Sequence, residues 1–552
     1  MSSAIFFIML SAPNLIVTSV ACVSLALAFV LTRFCLATLR PKDYPPGPPT
    51  VLGLGNLSQI PLKQPFLQFG KWSKTYGDIL GLKVGPSNLV ILHNPRTVHQ
   101  LFSKRAAHYS GRPYSYIPNE HVFCQHADKH VLYLQNTPYL RKWRAAVAYL
   151  IGTSGLKQVV PMQEATAATL AKQLLNTTPP ETLDHLKQWA LATPLLAITG
   201  QRLEERGKDF SNRFFKAQKL WLELLEPGNA PPVDMVPMLR LIPERFAPWK
   251  TDARYVRDYM FEEYASYLES AQKLSGKAGT AKSGQNKPTR FRCLMTKVLE
   301  DGLEEENEKS GKLRFSSDQL AYLGGGLLDA AVDTTWASMM SLVLYLAAYP
   351  GVQQKAYEEV TRISPDQSPG GDRLGDLPYI GACLAEIFRL RPPTPEGLPR
   401  ILDRDDIVDG YRIPKGTTVL ANVWSMQRNP DDYDQPDEFI PERYLNHPLG
   451  LKKGADDTHK RASYTFGAGR RLCPGEAFAQ NAIITAISKL LWSFKIEPAG
   501  PLDLNTETGF HTGLVMAPEP FKVNFVLRDL KRREDILRDY DACQTVLAGF
   551  GL

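Results

Sequence analysis

The chain has 552 residues, 44% of them hydrophobic and 22% charged, which is enough apolar material for a large core. Its net charge of +7 is spread along the sequence. This charge suits anionic lipid or an acidic protein partner and falls short of a nucleic-acid-binding surface. The seven cysteines form no CxxC pair, which argues against a disulfide framework and against a paired-cysteine zinc site.

The first 32 residues contain no charged side chain, and residues 14–36 are long enough to cross a bilayer as a helix. Basic residues follow the apolar run, so the positive-inside rule predicts a lumenal N-terminus over 1–13 and a cytosolic body. A cleaved signal peptide is the alternative, but it would carry its basic residues before the apolar run. Residues 37–50 include PPGPP at 45–49, which predicts a basic, proline-rich hinge before a body over 51–552.

The body is predicted to be one large domain, mainly α-helical with small β-sheets. Apolar periodicity predicts helices over 162–175, 183–197, 252–273, 316–348 and 476–492. β-Branched and apolar runs predict strands over 79–84, 89–92, 411–413 and 418–421. The polar stretches 275–288 and 364–373 are typical of surface loops, and the charged tail from residue 527 is typical of a solvated helix face.

The predicted helix over 316–348 is unusually long and is apolar on nearly all sides, so we expect it to run through the core. A second membrane span is the alternative for such a segment. Asp329 and Asp333 near its middle argue against a span, because charged residues are costly inside a bilayer.

The segment FGAGRRLCPG, residues 466–475, carries the strongest chemical signal. A cysteine that ligates iron must be a thiolate, which needs hydrogen-bond donors around it. Gly467 and its neighbouring glycines permit a tight loop that turns N–H groups towards Cys473, and the following helix adds a positive dipole. Arg471 is expected to reach a carboxylate such as a haem propionate, and Phe466 to shield the site. A buried cysteine beside a turn is the alternative.

This segment resembles the haem-binding loop of the cytochrome P-450 superfamily of haem-thiolate monooxygenases. The resemblance covers nearly the whole chain, from the proline-rich hinge to about residue 527. It implies the cytochrome P-450 fold, with a single catalytic domain behind the membrane helix. It also implies haem b, iron protoporphyrin IX, with Cys473 as the axial ligand of the iron.

Two further segments resemble the structural motifs of this family. Glu386 and Arg389 match its ExxR motif, and Arg443 lies in a PERY segment like the one that supplies a second arginine. The resemblance implies a buried triad of Glu386, Arg389 and Arg443 that holds the core beside the haem. Such a network is structural, since breaking it would leave an unpaired buried charge.

The segment AAVDT, residues 330–334, resembles the oxygen-activation motif of the family. A hydroxyl beside a carboxylate, with water between them, can relay protons to dioxygen. We therefore assign Asp333 and Thr334 to the relay. The family usually has glycine where this chain has Ala331, which bears on the local helix kink and the oxygen pocket.

Two side chains resemble contacts that the family makes with the haem propionates. Trp143 matches a tryptophan that donates to a propionate, and Arg400 matches a basic residue that meets one. The family usually places a basic residue four positions after the tryptophan, where this chain has Val147. Arg144 or Arg141 substitutes for it, or the contact is absent.

The predicted function is oxidation of a lipophilic small molecule by dioxygen at the endoplasmic reticulum membrane, as a hydroxylation, an epoxidation or an oxidative ring formation. No flavin or nucleotide motif is present, so the resemblance implies NADPH-cytochrome P-450 reductase as electron donor, with cytochrome b5 as a second candidate. The motifs look most like those of filamentous fungi, whose enzymes often act in secondary metabolite biosynthesis. The alternatives are a reductase-independent haem-thiolate isomerase or dehydratase, and a non-catalytic, membrane-tethered haem-binding protein.

Overall fold

The computed structural model describes residues 2–226, 228–279, 292–303, 315–511 and 513–549. In these residues the fold is mainly helical with small sheets, as predicted. The α-helices are α1 (Ser2–Ala37), α2 (Pro65–Tyr76), α3 (Pro95–Val98), α4 (Pro138–Ile151), α5 (Thr153–Leu174), α6 (Pro179–Thr199), α7 (Leu203–Leu225), α8 (Pro248–Gly279), α9 (Leu294–Leu303), α10 (Ser317–Ala348), α11 (Pro350–Ile363), α12 (Pro378–Leu390), α13 (Val423–Met426), α14 (Glu442–Asn446), α15 (Glu476–Ser493) and α16 (Leu530–Gly549).

The strands form one four-stranded sheet, in the order β1-β2-β6-β3, and three two-stranded pairs, β10-β7, β4-β5 and β8-β9. Their bounds are β1 (Ile79–Val84), β2 (Ser87–Leu92), β3 (Arg400–Ile401), β4 (Asp406–Val408), β5 (Tyr411–Ile413), β6 (Thr418–Ala421), β7 (Phe494–Pro498), β8 (Phe510–His511), β9 (Ala517–Pro518) and β10 (Val523–Leu527). In the larger sheet β3 pairs with β6 so that Arg400 lies opposite Val419, which fixes the backbone of a predicted site residue.

Helix α10 is the centre of the fold. Ser316 caps its N-terminus in a reciprocal capping box with Gln319, and the helix ends two residues before Pro350. Most of its apolar stretch, 72%, is buried inside the protein, so α10 is a core helix, as predicted. Its N-terminal half packs in the apolar cluster with α7 and α8, and its C-terminal half in the cluster with α12 and α15.

The predicted strands and helices are present, but several helix boundaries were wrong; α6 begins at Pro179 rather than at residue 183, and α8 at Pro248 rather than at residue 252. Helix α5 begins at Thr153 rather than at residue 162 and continues through Pro161, because Gly152 provides an earlier start. Helix α8 continues to Gly279, so residues 275–279 are helical rather than part of the predicted loop. The remainder of that predicted loop lies outside the described residues.

The proline-rich hinge is bound to the body along its length. Arg40 donates to the carbonyl oxygens of Gly47, at 2.6 Å, and Pro48, at 2.8 Å, and also reaches Gly81 of β1 at 3.0 Å. The Tyr44 hydroxyl donates to the Leu89 carbonyl at 3.0 Å. The hinge that follows helix α1, the candidate membrane anchor, is therefore hydrogen-bonded to the first sheet.

Helix α16 follows the segment that the family resemblance covers. Its helical conformation is as expected, but the expected solvated face is only part of it, because Ile536 and Leu547 are buried. Asp539 of α16 accepts from Lys489 of α15 at 2.8 Å, and that lysine side chain is 2% exposed. The C-terminal helix is thus part of the core that carries the site.

Candidate active site

A largely apolar cavity separates α10 from the loop that precedes α15. The space within its lining, including the part that opens to solvent, is about 1610 Å³. Ala330, Ala331 and Thr334 line it from α10, and Phe466 and Cys473 line it from the opposite loop.

The loop over 466–473 closes on itself and presents the cysteine to the cavity. The Cys473 N–H donates to the Phe466 carbonyl oxygen at 2.8 Å. Gly467 and Gly469 have φ angles of +75° and +62°, a region that L-residues seldom occupy, and a side chain on Gly469 would overlap the Phe102 carbonyl. The Phe466 ring packs edge-on against Phe388, with centroids 4.9 Å apart, which anchors the loop to α12.

Without a bound cation, the surroundings of Cys473 favour the neutral thiol over the thiolate. Burial raises the pKa of the thiol to about 11 and the Glu476 carboxylate raises it further, whereas a Gly475 backbone hydrogen bond and the Arg144 guanidinium lower it. A bound metal cation deprotonates a coordinating thiol outright. Cys473 is therefore suited to metal ligation, and it lacks the depressed pKa of a free reactive cysteine.

The buried Arg112 and Arg400 and the half-buried Arg471 line the cavity together, without an acidic partner among the described residues. Burial lowers the pKa of Arg112, Arg400 and Arg471, and each feels the charge of another arginine. Arg471 donates to the Ser110 carbonyl at 2.9 and 2.7 Å and also to the Leu134 carbonyl. Concentrated positive charge of this kind is costly unless an anion is bound.

Several N–H groups in the same place have no hydrogen-bond acceptor. These are Nε of Arg112, Nη1 of Arg400 and the indole Nε1 of Trp143 on α4, all buried. Trp143 itself is 1% exposed. Unpaired buried donors of this kind indicate a ligand that supplies acceptor oxygens.

The position four residues after Trp143 contributes no charge. Val147 is buried there in the apolar core, and Arg141 is exposed. Arg144 lines the cavity instead, and its guanidinium donates to the Leu472 carbonyl at 2.9 Å, next to Cys473. Of the two arginines that were candidates to replace the missing basic residue, the structure brings Arg144 to the site.

These features fit a haem whose two propionates carry negative charge. Arg112, Arg400, Arg471 and Trp143 would hold the propionates, and Cys473 would ligate the iron. The fit rests on the unpaired donors, the uncompensated cations and the cysteine, which all line one cavity. The positive φ angles of Gly467 and Gly469 permit the tight turn that presents Cys473 to this cavity.

The predicted triad of Glu386, Arg389 and Arg443 is assembled below the cavity. The Glu386 carboxylate, which is fully buried, accepts from Arg389 at 2.7 and 2.8 Å and from Arg443 at 3.2 Å. The Ile440 N–H donates to it as well, at 3.0 Å. Satisfied buried charges of this kind rigidify a core, and α12 thereby holds the Phe388 ring against the cysteine loop.

Thr334 and Asp333 lie on different sides of α10. The Thr334 side chain lines the cavity and donates to the Ala330 carbonyl at 3.0 Å. The Asp333 carboxyl points towards α7, where Gln218 donates to it at 3.1 Å. Burial raises the pKa of Asp333 to about 7, the Lys187 ammonium opposes that rise, and Asp329 adds to it. Helix α10 is continuous through Ala331.

Sequence reasoning missed Arg112. It lies between β2 and α4, in a stretch where no local pattern sets it apart. An arginine that follows glycine and precedes proline is usually part of an exposed turn. Its burial beside Arg400 becomes visible only when β3 and the loop before α4 are packed together.

Comparisons with known proteins agree with this geometry. The Cytochrome P450 family model matches residues 45–525. Cytochrome P450 monooxygenase grgG from a Penicillium species is 35% identical over 92% of both chains. Cytochrome P450 monooxygenase atE from Aspergillus terreus is 33% identical over 96% of both. A zebrafish cytochrome P450 structure with progesterone has a TM-score of 0.68 and 21% identity over 84% of this chain and 99% of that one, which shows the same fold. The chain therefore belongs to the cytochrome P450 family and is an oxidoreductase of the monooxygenase type.

Proposed function

We propose that this protein binds haem b through Cys473 and inserts one oxygen atom from dioxygen into a lipophilic small molecule. The observation that carries the proposal is the convergence of Cys473 with unpaired buried arginine and tryptophan donors in one cavity. Haem supplies the iron at which dioxygen is activated, and a thiolate ligand favours cleavage of the O–O bond.

Two side chains of α10 have separate roles in proton transfer. The Thr334 hydroxyl reaches the cavity and can hold a proton or a water there. Asp333 supplies the proton from behind, because its pKa near 7 lets it bind and release one at neutral pH. Arg112, Arg400 and Arg471 balance the charge of the cofactor and keep it oriented.

The lining above the cysteine loop favours an apolar substrate. Val131, Leu132, Leu327 and Leu398 face this space, and no acidic side chain lines it in the described part of the chain. A cationic substrate would therefore be desolvated without an anionic partner. The reaction that fits is hydroxylation, epoxidation or oxidative ring formation on a hydrocarbon portion of the substrate.

Electron supply and location form the next part of the proposal. Helix α1 is long and apolar enough to anchor the protein in the endoplasmic reticulum membrane, with the body in the cytosol. Arg470, exposed on the cysteine loop, offers a positive surface for an acidic NADPH-cytochrome P-450 reductase or for cytochrome b5. Arg471 turns inward and serves the cavity instead. The likeness to fungal monooxygenases supports a role in secondary metabolite biosynthesis.

The first test is the carbon-monoxide difference spectrum of the reduced protein, for wild type, Cys473→Ala and Cys383→Ala. Cys383 is another buried cysteine, on α12, and is the matched control. We expect a strongly red-shifted Soret band that only Cys473→Ala abolishes. A wild-type band like that of histidine-ligated haem, or a band that survives Cys473→Ala, would refute thiolate ligation.

The second test separates monooxygenation from a reductase-independent rearrangement. The full-length enzyme is reconstituted with reductase and given anisole, a small lipophilic ether whose demethylation releases formaldehyde. We expect formaldehyde only when NADPH and dioxygen are both present. Turnover of a lipid hydroperoxide without NADPH, and no NADPH-dependent oxidation, would favour an isomerase instead.

A further inference from the structure

Gln218 of α7 links the acid of the proposed relay to a second helix. Its side chain is 3% exposed, and its amide nitrogen donates to the Asp333 carboxylate at 3.1 Å and to the Asp329 carbonyl oxygen at 2.9 Å. Asp329 and Asp333 are one helical turn apart on α10. One amide therefore uses both of its N–H groups to hold this turn and the carboxyl that it carries.

Two charged groups face the Asp333 carboxyl. Lys187 approaches from α6 and lowers the pKa of Asp333, while Asp329 from α10 raises it. The Lys187 ammonium is held between α7 and α10, 4.4 Å above the ring of Phe215 and 5.2 Å from that of Trp336. Lys187 stabilises the carboxylate through space, whereas Gln218 bonds to it directly.

Asp329 itself is engaged elsewhere. Its carboxylate accepts from the Tyr264 hydroxyl of α8 and lies 3.7 Å from His130 Nε2. It is therefore held away from Gln218, which meets only the backbone carbonyl of this residue. Among the described residues, Gln218 is the side chain with a hydrogen bond to the Asp333 carboxylate.

A hydrogen bond donated to a carboxylate favours its charged form and fixes the direction in which its free oxygen points. Thr334, the next residue on α10, lines the cavity, so the direction of the Asp333 carboxyl decides whether a proton can pass between the two. An apolar residue at position 218 would leave that carboxyl buried with one partner fewer, and protonated at a higher pH.

We propose that Gln218 is a positioning residue of the proton relay, which orients the Asp333 carboxyl and makes that orientation depend on how α7 sits on α10. This inference rests on the proposed function, in which Asp333 and Thr334 pass protons towards dioxygen. Gln218 touches neither substrate nor cofactor and acts through Asp333.

The direct test measures the protonation of Asp333 in the purified holoprotein by infrared spectroscopy, without turnover. The carbonyl stretch of the protonated carboxyl is followed against pH and assigned by its loss in Asp333→Asn. We expect Gln218→Met to raise the midpoint by about one pH unit or more, because one hydrogen bond to the charged form is lost. Gln218→Leu, which also cannot donate and adds no titratable group, should raise it about as far.

Gln353→Met is the matched control. Gln353 is also 3% exposed and donates to a carbonyl of α10, that of Leu346 at 2.9 Å, but it lies far along the helix from the relay. This variant should melt at a lower temperature and leave the Asp333 midpoint unchanged. A midpoint that stays fixed in both Gln218 variants, or moves equally in Gln353→Met, overturns the positioning role.

Turnover measurements then distinguish a failure of this inference from a failure of the proposed function on which it rests. With anisole and reductase, Gln218→Met and Asp333→Asn should each raise the ratio of hydrogen peroxide to formaldehyde. For Gln218→Met we expect a rise of about tenfold, which corresponds to the loss of one charge-assisted hydrogen bond. Gln353→Met should not. If Asp333→Asn leaves the ratio unchanged, the relay itself is wrong. If Asp333→Asn changes it and Gln218→Met does not, the inference alone fails.

Discussion

At the scale of single residues, the buried Arg112 and Arg400 lie with the half-buried Arg471, and none of the three has an acidic partner among the described residues. Burial, and after it the charge of a neighbouring arginine, lowers the pKa of all three, so the group is costly in the absence of an anion. The arrangement is unfavourable for folding and favourable for binding a dianion. The two effects have opposite signs, which makes them separable by experiment.

Arg112→Leu should weaken haem binding while leaving the haem-free protein equally stable or more stable. One charge-assisted contact is worth about 1.5–3 kcal/mol, so the affinity should fall about 10- to 100-fold. Haem titration and urea unfolding of the apoprotein measure the two quantities. Arg105→Leu is the control, since Arg105 is paired with Asp406 at 2.8 Å. It should cost stability and spare haem affinity, and the same pattern in Arg112→Leu would argue against a propionate contact.

For the buried Glu386 we predict the opposite effect on stability. Glu386→Gln leaves Arg389 and Arg443 without their shared anion, so the free energy of unfolding should fall by about 3–5 kcal/mol. Denaturant unfolding of the holoprotein checks this value. Glu269→Gln, which breaks an exposed pair with Lys273, should produce no measurable change. A loss of activity in Glu386→Gln at full stability would contradict a structural role.

At the scale of elements, the pattern of side chains predicted the strands well and the helix ends less well. Strand β1 matches its predicted range because every residue from Ile79 to Leu82 is buried. Helix α5 continues through Pro161 because packing against α15 and α16 compensates for the lost backbone hydrogen bond. Periodicity reports which face is apolar, and it does not report which neighbours extend a helix.

Helix α16 provides the prediction at this scale. Asp539→Asn should leave the Lys489 ammonium buried on α15 without its anion, which should lower the free energy of unfolding by at least about 1 kcal/mol. Thermal unfolding followed at the Soret band and by circular dichroism measures it. Asp541→Asn, at an exposed position on the same helix, should be neutral. Equal stability of the two variants would mean that α16 does not support the core through Lys489.

At the scale of the whole molecule, the net charge of +7 bears on docking rather than on the fold. Arg470 is exposed on the loop that carries Cys473, so a negative partner that binds there comes close to the cofactor site. Helix α1 is a candidate membrane anchor, and the hinge that follows it is hydrogen-bonded to the first sheet. Electron supply should therefore depend on charge at long range.

The rate of reduction by a flavoprotein reductase should fall as sodium chloride is raised, because exposed charges are screened over about 10 Å at 0.1 M ionic strength. Arg470→Glu should lower the rate and flatten its salt dependence in stopped-flow measurements. Lys219→Glu makes the same change in net charge on α7, where Lys219 is exposed. It should leave the salt dependence nearly unchanged, and equal effects of the two would mean that net charge, rather than this loop, governs docking.

The sequence by itself indicated the family, the candidate cysteine ligand, the buried triad and the candidate membrane anchor, because each corresponds to a local pattern of residue types. Only the tertiary structure decided which arginines share the cavity. It also places Arg144, rather than a basic residue at position 147, in the cavity lining next to Cys473. The Asp333 carboxyl, finally, faces Gln218 rather than the cavity. These features depend on side chains that are tens to hundreds of residues apart in sequence. Local periodicity cannot encode such contacts, since they arise only when burial brings distant elements together.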